Sequence, residues 1–128
     1  MIVVMTSKTI TVYGIPNCDT VKKARAWLTA QGLNYEFHDF KKQGVPEVQL
    51  DTWLKRLGWE KLVNRKGNTW RGLDAATQAS VVDTGSAIAV IKANSSVIQR
   101  PVVQWPSGQV TVGFDATAWG DLVKHQSR

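Results

Sequence analysis

The chain has 128 residues, 16 Lys and Arg against 10 Asp and Glu for a formal net charge of +6, and a 43% hydrophobic composition that includes six Trp. That apolar fraction supplies the core of one domain and excludes intrinsic disorder, while the longest apolar runs, Ile2-Val3-Val4-Met5 and Ala87-Ile88-Ala89-Val90-Ile91, fall far short of the roughly 20 residues of a membrane span. The positive charge is dispersed over Lys22-Lys23, Lys41-Lys42, Lys55-Arg56, Arg65-Lys66 and single sites, with no run of five or more, so neither nucleic acid nor a membrane is the expected partner.

The opening Met1–Met5 segment lacks charged side chains and the longer apolar stretch of a secretory signal, which leads to the expectation of a cytoplasmic protein. Thr9-Ile10-Thr11-Val12-Tyr13 alternates with period two and runs into Gly14-Ile15-Pro16-Asn17, so a first strand should deliver the chain to a turn. From Asp19 the apolar positions Val21, Ala24 and Leu28 fall at helical spacing, with Trp27 flanking and Gly32 placed to end the helix. Cys18 therefore stands at a helix start. Asn34 to Phe40 alternates again and predicts a second strand, parallel to the first across the helical crossover.

Leu50, Trp53, Leu54 and Leu57 sit at i, i+3, i+4 and i+7, with Pro46 near the start and Gly58 at the end, the pattern of an amphipathic helix. Asn64 to Thr69 reads as a polar loop. A short helix is expected from Asp74 to about Val81 and another from Gly85 to about Ala93, closed by Asn94. After Arg100-Pro101, Val102-Val103-Gln104-Trp105 and Val110-Thr111-Val112 flank a Pro106-Ser107-Gly108 turn as a hairpin. Asp115 then caps a last helix carrying Ala116, Trp119, Leu122 and Val123. The order βαβ, helices, ββα predicts an α/β protein with a thioredoxin-like fold: one mixed sheet, a single domain over residues 1–128, and a helical lobe inserted at about 45–95.

One cysteine leaves no intramolecular disulfide and no multi-cysteine zinc site, and His38 and His125 are far apart in sequence, so no metal is expected. A free cysteine is more often a small buried hydrophobe than a nucleophile. At a helix N-terminus, however, unpaired backbone N–H groups and the helix dipole favour a thiolate, with Lys22 and Lys23 adding to that and Asp19 opposing it. Both readings of Cys18 stand on position alone. Thr20 is either a hydroxyl donor to the sulfur or an ordinary first-turn residue, and Asn17 either a ligand contact or a turn former. His38, opposite the Tyr35 and Phe37 face of its strand, reads as structural. The tryptophans read as core residues, and Trp70, beside Arg65, is the one placed near a ligand.

Four stretches occur in order along nearly the whole chain: Tyr13-Gly14-Ile15-Pro16-Asn17-Cys18-Asp19-Thr20-Val21-Lys22-Lys23-Ala24-Arg25-Ala26-Trp27-Leu28, Phe37-His38-Asp39-Phe40-Lys41-Lys42-Gln43-Gly44, Asn64-Arg65-Lys66-Gly67-Asn68-Thr69-Trp70-Arg71 and Ile98-Gln99-Arg100-Pro101-Val102. Together they resemble the ArsC/Spx family and, within it, the YffB-type glutathione-dependent thiol reductase branch. The resemblance implies a thioredoxin fold with a helical insertion. It also implies that Cys18 is the nucleophile, that Arg65 and Arg100 bind an anionic group, and that Pro101 is a cis-proline beside the cysteine. The backbone preceding that proline would pair with a thiol substrate as a short strand does. In arsenate reductases of the family the cysteine attacks an oxyanion held by arginines, and glutathione or glutaredoxin regenerates the thiol. By the same resemblance glutathione is a co-substrate and glutaredoxin a further partner; no bound cofactor and a monomer are expected.

Two departures from the family pattern narrow the expectation. Spx-type proteins carry a Cys-x-x-Cys switch, whereas Val21 occupies the second position here, so the chain holds no resolving thiol of its own. The third arginine of the arsenate reductases is replaced in the Val112-Gly113-Phe114-Asp115 region. The expected function is accordingly a glutathione-dependent thiol–disulfide oxidoreductase that forms a mixed disulfide at Cys18. The alternatives are an Spx-like adaptor that binds RNA polymerase, an arsenate reductase, and a thioredoxin-fold binding domain with an inert cysteine.

Overall fold

The computed structural model describes residues 9–126; the Ile2–Met5 run and the side chain of His125 lie outside the described residues. In chain order the elements are β1 (Ile10–Gly14), α1 (Asp19–Ala30), β2 (Tyr35–Asp39), α2 (Phe40–Gln43), α3 (Glu47–Leu57), α4 (Trp59–Leu62), α5 (Asn68–Arg71), α6 (Ala75–Ser80), α7 (Thr84–Ala93), a 3-10 turn at Ser95–Val97, β3 (Val102–Gln104), β4 (Val110–Val112) and α8 (Ala116–Gln126). They divide into two compact units. The first holds the chain up to Asp39 and again from Arg100, and the second is Phe40–Gln99.

The first unit is built on a four-stranded mixed sheet of order β2-β1-β3-β4. β1 and β2 run parallel, in register from Ile10 opposite Tyr35 to Gly14 opposite Asp39, as a strand–helix–strand crossover requires. β3 lies antiparallel to the other side of β1, with Tyr13 opposite Val102, and forms a hairpin with β4. Period-two alternation puts Ile10 and Val12 of β1 on one face, where they join Val103, Trp105, Ala24 and Leu28 of α1, and Trp119 of α8 in one buried cluster. Trp119 is the hub. Its ring meets Phe114 at 4.8 Å, Trp105 at 5.1 Å and Trp27 at 5.7 Å between centroids, each edge-to-face, the arrangement the aromatic quadrupole favours. Trp105 also satisfies its indole by donating to Oγ1 of Thr111 at 3.0 Å. This is the α/β, thioredoxin-like layout expected from the order of elements, with helices intervening between β2 and β3.

The second unit is helical. Leu50, Trp53 and Leu54 form the buried stripe of α3, and Leu62, Ala87, Val90, Ile91 and Val97 are buried with them. Phe40 meets Trp53 edge-on at 6.2 Å. An isolated antiparallel bridge joins Val63 to Ile98, reinforced by Asn64 N–H donating to the Val97 carbonyl at 2.8 Å and Gln99 N–H to the Leu62 carbonyl at 2.7 Å. Asp74 caps α6 by accepting from Thr77 N–H. Asp83 and Ser86 form a reciprocal capping box that starts α7 at Thr84, one residue before the glycine where periodicity alone placed it. The expected Asn64–Thr69 loop is shorter than the sequence suggested, because Asn68 and Thr69 open the single turn α5. Neither α5 nor α2 and α4 spans enough residues to show an apolar period.

Candidate active site

β1 ends at Gly14, and the packing there is tight: a Cβ would lie 2.8 Å from Cγ2 of Val21, so any larger residue requires a shift. The first turn of α1 is thereby drawn close to the end of β1. Between them Ile15, Pro16 and Asn17 form the turn, with Pro16 and Asn17 exposed. Cys18 occupies the N-cap of α1 in an extended conformation (φ −104°, ψ 127°). Its carbonyl accepts from Lys22 N–H at 2.9 Å and so begins the helix.

The Cys18 side chain is half-buried and makes no capping hydrogen bond. A Ser or Asp in that position would accept from the first-turn N–H groups. Cysteine leaves those donors without a side-chain cap at the N-terminus of a 12-residue helix, where they can face an anionic group bound beside it. Thr20 is exposed in the same turn, beside the acidic first-turn residue Asp19.

The peptide bond between Arg100 and Pro101 is cis. Pro101 is fully buried, and its carbonyl accepts from Gly113 N–H at 2.9 Å. Because Tyr13 pairs with Val102, continuing the antiparallel register by one residue sets Pro101 opposite Gly14. The turn to Cys18 and the Arg100-Pro101 segment thus leave the same end of the sheet. It is also the carboxyl end of the parallel pair β1 and β2, the edge where α/β sheets place ligands. Arg100 is half-exposed with its Nε buried, and Asp39, opposite Gly14 on β2, is buried.

On the sheet face away from the tryptophan cluster, Tyr13 donates to Oε1 of Gln104, and its ring lies 5.0 Å from that of His38. Burial, assisted by the nearby Glu36 carboxylate, raises the Tyr13 phenol above its ordinary value.

Asn17, Cys18, Thr20, Arg100 and Pro101 all belong to the sheet unit. Arg65 and Trp70 belong to the helical unit. Arg65 is exposed on a tight turn that Asn64 organises, with Lys66 N–H donating to the Asn64 Oδ1 at 3.1 Å and Gly67 N–H to its carbonyl at 3.3 Å. The Arg65 guanidinium carbon stands 5.4 Å from the Trp59 ring centroid. Sequence reasoning missed Trp59 as the support of this arginine. No period links the two positions, because Gly58 and the one-turn α4 break the helical phase. Trp70 is half-buried, and its carbonyl accepts from Nε2 of Gln78 at 2.8 Å.

The region where the resemblance puts a third arginine has other work. Gly113 adopts a left-handed φ of 78° while bonding to Pro101, and Phe114 packs against Trp119 and Trp27. Among the described residues no group of three or more His, Cys, Asp or Glu could hold a metal ion, and no helix is long and apolar enough to cross a membrane.

Residues 13–122 match the ArsC family. The solved structure of a YffB protein is 41% identical, with 88% of this chain and 97% of that one covered and a TM-score of 0.82. The solution structure of an arsenate reductase (ArsC) related protein from Brucella melitensis is 42% identical, with 92% and 97% covered and a TM-score of 0.71. The global transcriptional regulator Spx of Streptococcus pyogenes is 22% identical over 108 residues, 83% of this chain and 78% of that protein.

Proposed function

The chain belongs to the ArsC family, and from that premise we propose that it is a glutathione-dependent thiol–disulfide oxidoreductase of the cytoplasm, acting as a monomer through Cys18. The observation that carries this reading is the position of Cys18. It is an uncapped N-cap thiol at the sheet end where the cis Arg100-Pro101 segment enters the neighbouring strand.

In the proposed reaction the Cys18 thiolate attacks the glutathione sulfur of a glutathionylated thiol. The S–S bond of the substrate breaks, its sulfur leaves and takes up a proton, and Cys18 is left joined to glutathione. A second glutathione, as thiolate, then attacks the sulfur of the bound glutathione. Glutathione disulfide departs and the Cys18 thiolate is restored, so substrate gains the two electrons that the glutathione pair loses. Val21 stands where a resolving cysteine would be, and the chain has one cysteine, so resolution comes from glutathione or glutaredoxin in solution.

Arg100 is assigned to an anionic group of the bound thiol, and Arg65 is assigned to anion binding in its own unit; an arginine fork suits a carboxylate of glutathione. Asn17 and Thr20 are assigned to contacts around the sulfur. Pro101 shapes the segment whose backbone meets the substrate.

Intact-mass measurement after exposure to oxidised glutathione tests the reading. The wild type should gain one glutathionyl group and lose it to added reduced glutathione, and Cys18→Ser should gain none. Absence of the adduct, or deglutathionylating turnover that survives Cys18→Ser, would overturn it.

A further inference from the structure

Residues 55–71 of the helical unit concentrate charge. Lys55, Arg56, Lys61, Arg65, Lys66 and Arg71 face a single acid, Glu60, within the segment, and all six cations are exposed. Lys55 is paired with Asp51 at 3.0 Å. Among the described residues, no ion pair engages Arg56, Lys61, Arg65, Lys66 or Arg71.

A plain account exists for part of this. Lys55 and Arg56 sit in the last turn of α3, where cations complement the helix dipole. It does not extend far, because α4 and α5, which carry Lys61 and Arg71, are single turns of four residues with little aligned dipole. Arg65 and Lys66 lie in the turn between them, on no helix. The Arg65 guanidinium carbon lies over the Trp59 ring at 5.4 Å, and a guanidinium is the cation whose planar fork matches a carboxylate.

We infer that this basic segment docks an acidic protein surface. Single-stranded nucleic acid is recognised by aromatic faces on which bases stack, in a groove that tracks the backbone. Here the Trp59 face is taken by Arg65. The cations stand at the end of α3, on the single turns α4 and α5, and in the turn between those two. Spaced guanidinium and ammonium groups without partners of their own match the spaced carboxylates of a protein, and their charge raises the rate of encounter. The inference does not depend on the chemistry of Cys18, so Cys18→Ser should bind as the wild type does.

The test measures binding of fluorescent poly-L-glutamate and, in parallel, of polyuridylic acid, at low and at near-physiological salt. Lys61→Glu/Lys66→Glu is compared with the charge-matched Lys22→Glu/Lys23→Glu in the sheet unit, all four positions being exposed, with circular dichroism confirming that both variants fold. Poly-L-glutamate should bind the wild type in a salt-sensitive manner. The 61/66 variant should lose about tenfold or more in affinity, while the 22/23 variant stays within about threefold. Equal losses in the two variants would reduce the effect to net charge and overturn the proposal. So would the absence of poly-L-glutamate binding at low salt, or tighter binding of polyuridylic acid with the same dependence on Lys61 and Lys66.

Discussion

Adding one methyl group at Gly14 probes the close approach between the end of β1 and the first turn of α1, beside Cys18. In Gly14→Ala the new Cβ would lie 2.8 Å from Cγ2 of Val21 and 3.7 Å from its Cγ1, against an optimum near 3.5–4.0 Å for carbon pairs. The end of β1 and the first turn of α1 must therefore separate by something under ~1 Å. Val21 is fully buried, so it has no solvent side into which to turn, and overpacking of this kind costs about 1–3 kcal/mol. Gly14 has no left-handed φ, which leaves sterics as the cause. Val21→Ala removes both γ carbons and should itself cost about 1.5–3 kcal/mol. In that background Gly14→Ala should cost less than about 0.5 kcal/mol, a coupling of about 1–2.5 kcal/mol between the two sites. Urea denaturation reads this directly: with a slope of about 1–3 kcal/mol per molar, 2 kcal/mol moves the midpoint by about 1 M. Since Cys18 is three residues before Val21, glutathione-adduct formation should slow in Gly14→Ala and recover in the double variant. A cost below about 0.5 kcal/mol in the wild-type background, or the same cost in both backgrounds, would refute the reasoning.

Arg100→Lys should impair turnover of a small glutathionylated substrate nearly as much as Arg100→Ala, by roughly ten- to a hundredfold in kcat/KM, because an ammonium cannot reproduce the guanidinium fork. Arg56→Ala, far from the cysteine in sequence and exposed, should be nearly silent, and steady-state kinetics that treat the two arginines alike would remove Arg100 from the site. Asp83 is held below the usual carboxylate range by the Ser86 N–H and then by the Ser86 hydroxyl. Its contribution to stability is therefore full above the ordinary carboxylate value near pH 4 and is lost as pH falls through the lower, folded value. Asp83→Asn keeps an oxygen for the cap, so urea midpoints at pH 7 should barely move while the decline below about pH 4 becomes shallower; an unchanged acid limb would count against the cap. Arsenate turnover should be weak or absent in a glutaredoxin-coupled assay, since Gly113 and Phe114 stand where the family resemblance implies a third cation and each lost charge-assisted contact costs about 1.5–3 kcal/mol. Robust arsenate turnover that vanishes in Cys18→Ser would restore that activity as the better description.

Much of the sheet unit was legible because its signals are local and repeated. Alternation at Ile10, Val12 and at Tyr35, Phe37 named the strands, Gly32 and Asp115 marked helix ends, and the intervening helix dictated that β1 and β2 run parallel. Asp115 indeed accepts from Ala118 N–H at 3.1 Å. The helical unit was less legible. Leu50, Trp53 and Leu54 declared α3, but α2, α4 and α5 are single turns whose existence depends on tertiary packing rather than on any period. At the candidate site, a cysteine at a helix start could be read from Gly14 to Asp19. That its side chain would leave the cap empty could not, nor that Val21 would crowd Gly14, because both depend on where the end of β1 stops relative to α1. The Trp59 support of Arg65 was hidden for the same reason: contacts across a broken helix carry no sequence spacing.

The placement of β3 next to β1 has a consequence for how the chain assembles. Tyr13 and Gln104 touch across these two strands although they are 91 residues apart, so the pairing that completes the sheet closes a long loop, whereas β1 with β2 and β3 with β4 close short ones. Loop closure costs grow as about 3/2 RT times the logarithm of loop length, so compaction of the helical unit beforehand shortens the effective span and lowers that cost. Contacts of such separation are the slow step in folding two-state domains. Loop-closure entropy therefore favours an order in which the βαβ and ββα pieces form before β3 pairs with β1, an expectation that φ-values across the two pairings would check. The sheet end that carries both the turn to Cys18 and the Arg100-Pro101 segment is complete only once β3 has paired with β1.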